Sequence, residues 1–147
     1  MDAALSVSAV PPAARHWAHA GLVPFVMSAL LLWLVWPEAR PYVAHALSAY
    51  AGLAVALLAG VHWGLAMRRP EASPGLLRSG ALLMLGAWVG VVMRPDAGLV
   101  VLGALLVAAY LVDRRCYPAL GLAHWLTLRF RLSAVAALSC FVGAAGV

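Results

Sequence analysis

The chain has 147 residues and a formal net charge of +5, with 65% hydrophobic and only 10% charged residues. At a mean hydropathy of +0.96, a soluble domain of this length has no means of keeping so much apolar surface from water. The composition therefore predicts an all-α polytopic membrane bundle. All ten basic residues are arginine and sit at the ends of apolar runs, where they set orientation and meet headgroups. With no basic face outside the membrane boundary, nucleic-acid binding is excluded.

Residues 1–13 are small, polar or proline-rich and read as a flexible N-terminal segment ahead of a single transmembrane domain, 14–147. Asp2 precedes the first apolar residues and no basic residue does, so the segment does not read as a cleaved signal peptide. Pro11 and Pro12 suit a helix start. The first span is expected over 17–36, with Pro24 inside it removing one backbone hydrogen bond and kinking the helix. Trp33 and Trp36 mark its far interface.

The second span, 43–67, organises the rest. Ser48, Gly52, Ala56, Gly60 and Gly64 recur every four residues and predict a smooth stripe along which a neighbouring helix can approach closely. On this reading a leucine at Gly60 would hold helices apart. His62 lies about 200° round the helix from Gly60 and faces a different neighbour. A polar, proline-broken turn follows. The third span is expected over 76–93, with Gly86 and Gly90 repeating the small-residue spacing. Arg94, Pro95 and Asp96 alone separate it from the fourth, 97–112, which makes those two helices antiparallel neighbours. Residues 118–132 are the most mixed stretch. They form either an interfacial amphipathic helix or the entry of a fifth span, 130–147. The count is five transmembrane helices.

Arg15, Arg68, Arg69, Arg78, Arg114, Arg115, Arg129 and Arg131 share one side in this topology, against Arg40 and Arg94 on the other. The positive-inside rule then places the N-terminus in the cytoplasm and the C-terminus outside.

Few residues offer chemistry. His-Trp occurs at His16-Trp17, His62-Trp63 and His124-Trp125, each near the arginine-rich end of its segment. His62 is five residues from Met67, about 7–8 Å inside, and an ionisable residue there is a functional candidate. Imidazoles at similar depth (His16, His19, His62, His124) could converge on a metal or haem. Against this, no metal-ligand spacing is present, no carboxylate is interleaved and neither Cys116 nor Cys140 joins them, so no metal site is predicted. The cysteines lie at different depths, which argues against a disulfide. A histidine beside a tryptophan is also an ordinary interfacial anchor.

An imidazole left unpaired in lipid costs several kcal/mol. His62 therefore requires a partner: a carbonyl freed by Pro24, the hydroxyl of Tyr110 or a bound ligand. His62, Trp63 and Tyr110 are the candidate cofactor-binding residues. Asp113 is the acidic residue at the inner end of a span and is expected to neutralise Arg129, Arg78 or an adjacent arginine. Arg129 and Arg131 can also snorkel to headgroups. No loop carries a Ser-His-Asp order, and there is no H-E-x-x-H, G-x-S-x-G or phosphate loop, so no catalytic residue is assigned.

Three segments resemble a family: Gly21–Phe25, Tyr50–Met67 and Asp113–Ser133. Together they are similar to the small membrane proteins of domain of unknown function 3429, which include eukaryotic transmembrane protein 69. The distinguishing elements are Gly-x-His-Trp-Gly, Gly60 to Gly64, and Trp-x-x-Leu-Arg-x-x-Leu-Ser, Trp125 to Ser133. The chain departs from the family in Ala59 before Gly60 and in His124 before Trp125, which weakens His124 as a shared functional residue. The resemblance implies a bacterial cytoplasmic (inner) membrane or mitochondrial inner-membrane protein, structural roles for Pro24, Gly60, His62, Trp63, Gly64, Asp113, Trp125 and Arg129, and no established activity. The leading reading is a non-catalytic bundle that binds or stabilises another membrane component, with the lipid bilayer, another membrane protein or a second copy as partner and no cofactor favoured. The alternative is a redox-linked protein using His62 to hold haem or a quinone. A small transporter ranks behind both, because five spans and no carboxylate deep in a span fit it poorly.

Overall fold

The computed structural model describes residues 9–68, 71 and 73–147. All the α-helices and short turns of regular structure among them are helical in type, with no strand. The helices are α1 (Pro12–Ala20), α2 (Val23–Leu34), α3 (Arg40–Met67), α4 (Pro74–Val92), α5 (Pro95–Cys116) and α6 (Leu126–Gly146). Taking α1 with α2, five helical segments are long and apolar enough to cross a membrane. Proline stands at the first or second position of each helix from α1 to α5, where its missing N–H has no intrahelical partner to lose. Arg69 of the α3–α4 turn lies outside the described residues, as do residues 1–8 of the N-terminal segment.

The first span is two helices, not one kinked helix. The break falls at Gly21 and Leu22, whose N–H groups turn back to Trp17 O and His19 O at 3.0 Å each. Pro24 restarts the helix within the first turn of α2, and its ring is incompatible with a continuous ladder back to Ala20. The Tyr50 hydroxyl of α3 donates to the Gly21 carbonyl at 2.8 Å, which ties the break to the neighbouring helix.

The ambiguous stretch 118–132 is neither of the two expected forms in full. Two short 3-10 turns, Pro118–Leu120 and Ala123–Trp125, lead into α6, which starts at Leu126. Gly121 separates them at φ 72°, a left-handed conformation that costs a residue with a Cβ about 1 kcal/mol or more.

Helix α3 is central, packing on α4, α5, α2 and α6, and α5 also lies along α6. Its buried face runs through Ala44, Leu47, Ser48, Ala51, Gly52, Val55, Ala59, His62 and Ala66. This corrects the expected stripe. Residues four apart drift about 40° per step on a 100°-per-residue helix, so the row that starts at buried Ser48 and Gly52 has turned outward by Gly60. Gly60 is exposed, and neither Gly60 nor Gly64 has anything within 4 Å of where a Cβ would stand. The close approach to α4 occurs instead at Gly52, against Val91, and at Gly80, where Trp63 and the Ala59 carbonyl leave no room.

The α4–α5 hairpin is as expected. A Cβ on Gly86 would come within 2.9 Å of Leu105, and one on Gly90 within 2.7 Å of Leu102. The core is apolar, with Leu32, Leu47, Val55, Leu99 and Leu102 fully buried. The outer surface is apolar too: Leu57, Leu82, Trp88 and Leu138 are more than half exposed, which suits hydrocarbon as the surrounding solvent.

Candidate functional site

Four helices bring four polar side chains together at the arginine-rich end. His62 Nε2 lies 2.8 Å from Asp113 Oδ1, and Ser79 Oγ lies 3.0 Å from His62 Nδ1. The Nε and Nη2 of Arg129 donate to Asp113 Oδ2 at 2.8 and 2.6 Å. The chain of contacts runs Ser79 (α4), His62 (α3), Asp113 (α5), Arg129 (α6). His62 and Asp113 are each 1% exposed and Arg129 is 12% exposed.

Depth explains the meeting. His62 is five residues before the end of α3 and Ser79 five after the start of α4, about 7–8 Å in. Asp113 and Arg129 are three residues from the ends of α5 and α6. Alternating helix direction therefore delivers all four to one layer. Tyr117, just past α5, brings its phenol to the same charges. Burial, then the negative charge of Asp113, pushes its hydroxyl above the usual tyrosine range.

The proton inventory is tight. Asp113 as a carboxylate only accepts, so His62 Nε2 carries a proton. Ser79 has one hydroxyl hydrogen and two acceptors in reach, His62 Nδ1 and the Leu76 carbonyl at 2.9 Å. When that hydrogen points to Nδ1 the imidazole is neutral and the network has no net charge: Arg129 balances Asp113. A neutral, fully paired network is the state that burial in an apolar layer favours.

The sequence requires a partner for His62 and an arginine for Asp113, with Arg129, Arg78 and the adjacent arginines as candidates, and the structure has Arg129 there. Within the chain His62 is paired with Asp113 and Ser79, neither of which is among the partners expected for it. Tyr50 donates to the Gly21 carbonyl, next to the Ala20 carbonyl that Pro24 frees. The ring of Tyr110 stacks edge-on with Phe130, centroids 5.5 Å apart. Trp63 turns away from His62 and donates through Nε1 to the Leu77 carbonyl at 3.1 Å. His62, Trp63 and Tyr110 thus each contact different partners. Trp125 ends the second 3-10 turn and lies half-buried beside His124.

Ser79 was missed. Its signal was its position, five residues into a span at the depth of His62, where few polar side chains occur. It also completes a Ser-His-Asp order that no loop of the sequence carries. Ser79 lies inside α4, where backbone N–H groups bond along the helix.

The remaining histidines separate. His19 and His124 do converge, on a cavity of about 290 Å³ that they share with Arg15, Thr127 and Arg131. Two arginines there oppose a metal cation. Among the described residues no group of three or more His, Cys, Asp or Glu could hold a metal, and both cysteines are free. His16 packs edge-on against Trp17, and His45 is exposed. Replacing His62 by alanine strips Asp113 Oδ1 and Ser79 of their partner, at about 1–3 kcal/mol or more for the charged acceptor. His62→Ala is therefore expected to lower the yield of folded protein clearly below that of His16→Ala, His45→Ala or His124→Ala. Equal yields at all four positions would show that the network does not hold the fold.

One comparison with known proteins has a positive result. The family model described as "Protein of unknown function (DUF3429)" matches residues 10–145, nearly the whole chain, and the chain belongs to that family. No curated protein and no solved structure matches it.

Proposed function

We propose that this member of the DUF3429 family is a non-catalytic integral membrane protein that binds another component of the membrane. The observation that carries this reading is the saturation of the buried polar chain. Both nitrogens of His62 and both oxygens of Asp113 are used inside the protein, linking α3, α4, α5 and α6. Chemistry or haem ligation at His62 would first have to break a bond within the fold. The network instead braces a groove between α1, α2, α3 and α6 that Arg129 reaches from the side. The location we propose is the bacterial inner membrane. Seven of the described arginines lie at the network end, namely Arg15, Arg68, Arg78, Arg114, Arg115, Arg129 and Arg131, which supports a cytoplasmic N-terminus and a periplasmic C-terminus.

The test is made on protein purified in mild detergent. Organic extraction of wild type should release a lipid-soluble component that Ala54→Phe, which fills the groove, does not retain. A fluorophosphonate probe should leave Ser79 unlabelled, and the absorbance spectrum should show no Soret band. Labelling of Ser79 that His62→Ala abolishes would overturn the reading in favour of a hydrolase. A Soret band lost in His62→Ala would overturn it in favour of the redox alternative.

A further inference from the structure

We infer that the groove takes a neutral, flat ring bearing carbonyl oxygens on an apolar tail, the chemistry of a prenylated quinone, with its oxygens at Arg129 and Ser133. The inference rests on the binding reading above and names its ligand class.

The groove offers about 460 Å³, within the range of small-molecule sites. Its walls are apolar and open outward, with Leu53 and Leu57 of α3 lining it while more than half exposed. Phe25 and Tyr50 meet edge-on there at 5.1 Å, and Trp17 stands at the mouth. Such rings favour a flat partner. The Tyr50 hydroxyl is already spent on Gly21.

Two donors remain. Ser133 lines the groove, is 5% exposed, and its hydroxyl has no hydrogen-bond partner among the described residues. Ser139, six residues on, returns its hydroxyl to Val135 at 2.8 Å in the usual way of helical serines. Ser133 does not, and a buried hydroxyl without a partner is a standing cost that an acceptor on a ligand would remove. Arg129 is the second donor. Its Nε and Nη2 are committed to Asp113, which leaves donors of the five-N–H fork unspent. Arg129 and Ser133 are four residues apart on one helix face, about 6 Å along the axis, so one ring with oxygens at opposite edges can meet both.

Charge and depth select the head. Asp113 already neutralises Arg129, so an anionic head would leave uncompensated negative charge in an apolar layer, whereas a neutral carbonyl would not. Ser133 lies seven residues into α6, about 10 Å from its start, deeper than a phosphate resides. A phospholipid therefore fits less well than a quinone.

The probe is a decyl-tailed benzoquinone titrated into detergent-solubilised protein, read by tryptophan quenching and checked by calorimetry. Wild type should bind saturably at one per chain. Ser133→Ala removes no hydrogen bond of the protein and should melt like wild type while binding about tenfold more weakly. Ser133→Thr, which keeps the hydroxyl, should recover most of the affinity, and Ala54→Phe should abolish binding. Absence of saturable binding by wild type, or wild-type affinity in Ser133→Ala, overturns the inference. Recovery of a phospholipid that Ala54→Phe excludes, with no quinone binding, would overturn the ligand class and leave the binding reading standing.

Discussion

Asp113→Ala is expected to destabilise the bundle by about 3–5 kcal/mol, because it leaves the Arg129 guanidinium buried with no counter-charge and removes the acceptor of His62. Arg129→Leu should be similarly damaging for the converse reason, since it strands a carboxylate that is 1% exposed. The double variant Asp113→Ala/Arg129→Leu should be more stable than the sum of the two losses predicts, since neither charge then remains unpaired. Thermal melting of the detergent-solubilised variants reads all three. Strict additivity, or an Asp113→Ala protein that melts like wild type, would mean that the network lies on the fold without bracing it. His62 enters the same cycle: in an Asp113→Ala background, His62→Ala should cost less than it does alone.

The spans were legible because hydrophobic length is a one-dimensional quantity: five long apolar runs, each flanked on at least one side by proline or arginine, need no knowledge of neighbours. That Asp113 would pair with an arginine was legible for a similar reason, though not which of Arg129, Arg78 and the adjacent arginines it would be. All of them stand near the same end, and charges in an apolar layer must cancel. What pairs with His62 was not legible. That depends on how far α3, α4 and α5 are rotated about their axes, and rotation is decided by packing of the full side-chain surface. The same limit produced the error at Gly60. Small residues at a strict four-residue spacing look like one seam on paper, but the helix turns them away from α4 after Gly52, and the seam passes to Ala59 and the Gly80–Trp63 contact. The break before Pro24 follows this pattern. The proline announces that the ladder will fail, and only the fold shows that Tyr50 reaches the Gly21 carbonyl exposed there.

The α4–α5 crossing supplies the second large effect. A Cβ added to Gly98 would run into the Gly90 carbonyl oxygen, which is backbone and has no rotamer to move to. In an ordinary helix interior Gly→Ala stabilises by about 1 kcal/mol, because alanine has less backbone freedom to lose. Here the clash decides the sign, since α5 must shift against α4 and disturb the packing of Leu102 on Gly90. Overpacking of this kind costs about 1–3 kcal/mol, so Gly98→Ala should melt clearly below wild type and Gly98→Val lower still. Gly60→Leu is the control. It adds a much larger side chain to an exposed site with nothing within 4 Å, and should melt within a degree or two of wild type. Were Gly60→Leu the more damaging of the two, α3 would present the Gly60 face to a partner, and a second copy of the chain packed on that stripe would be the first candidate.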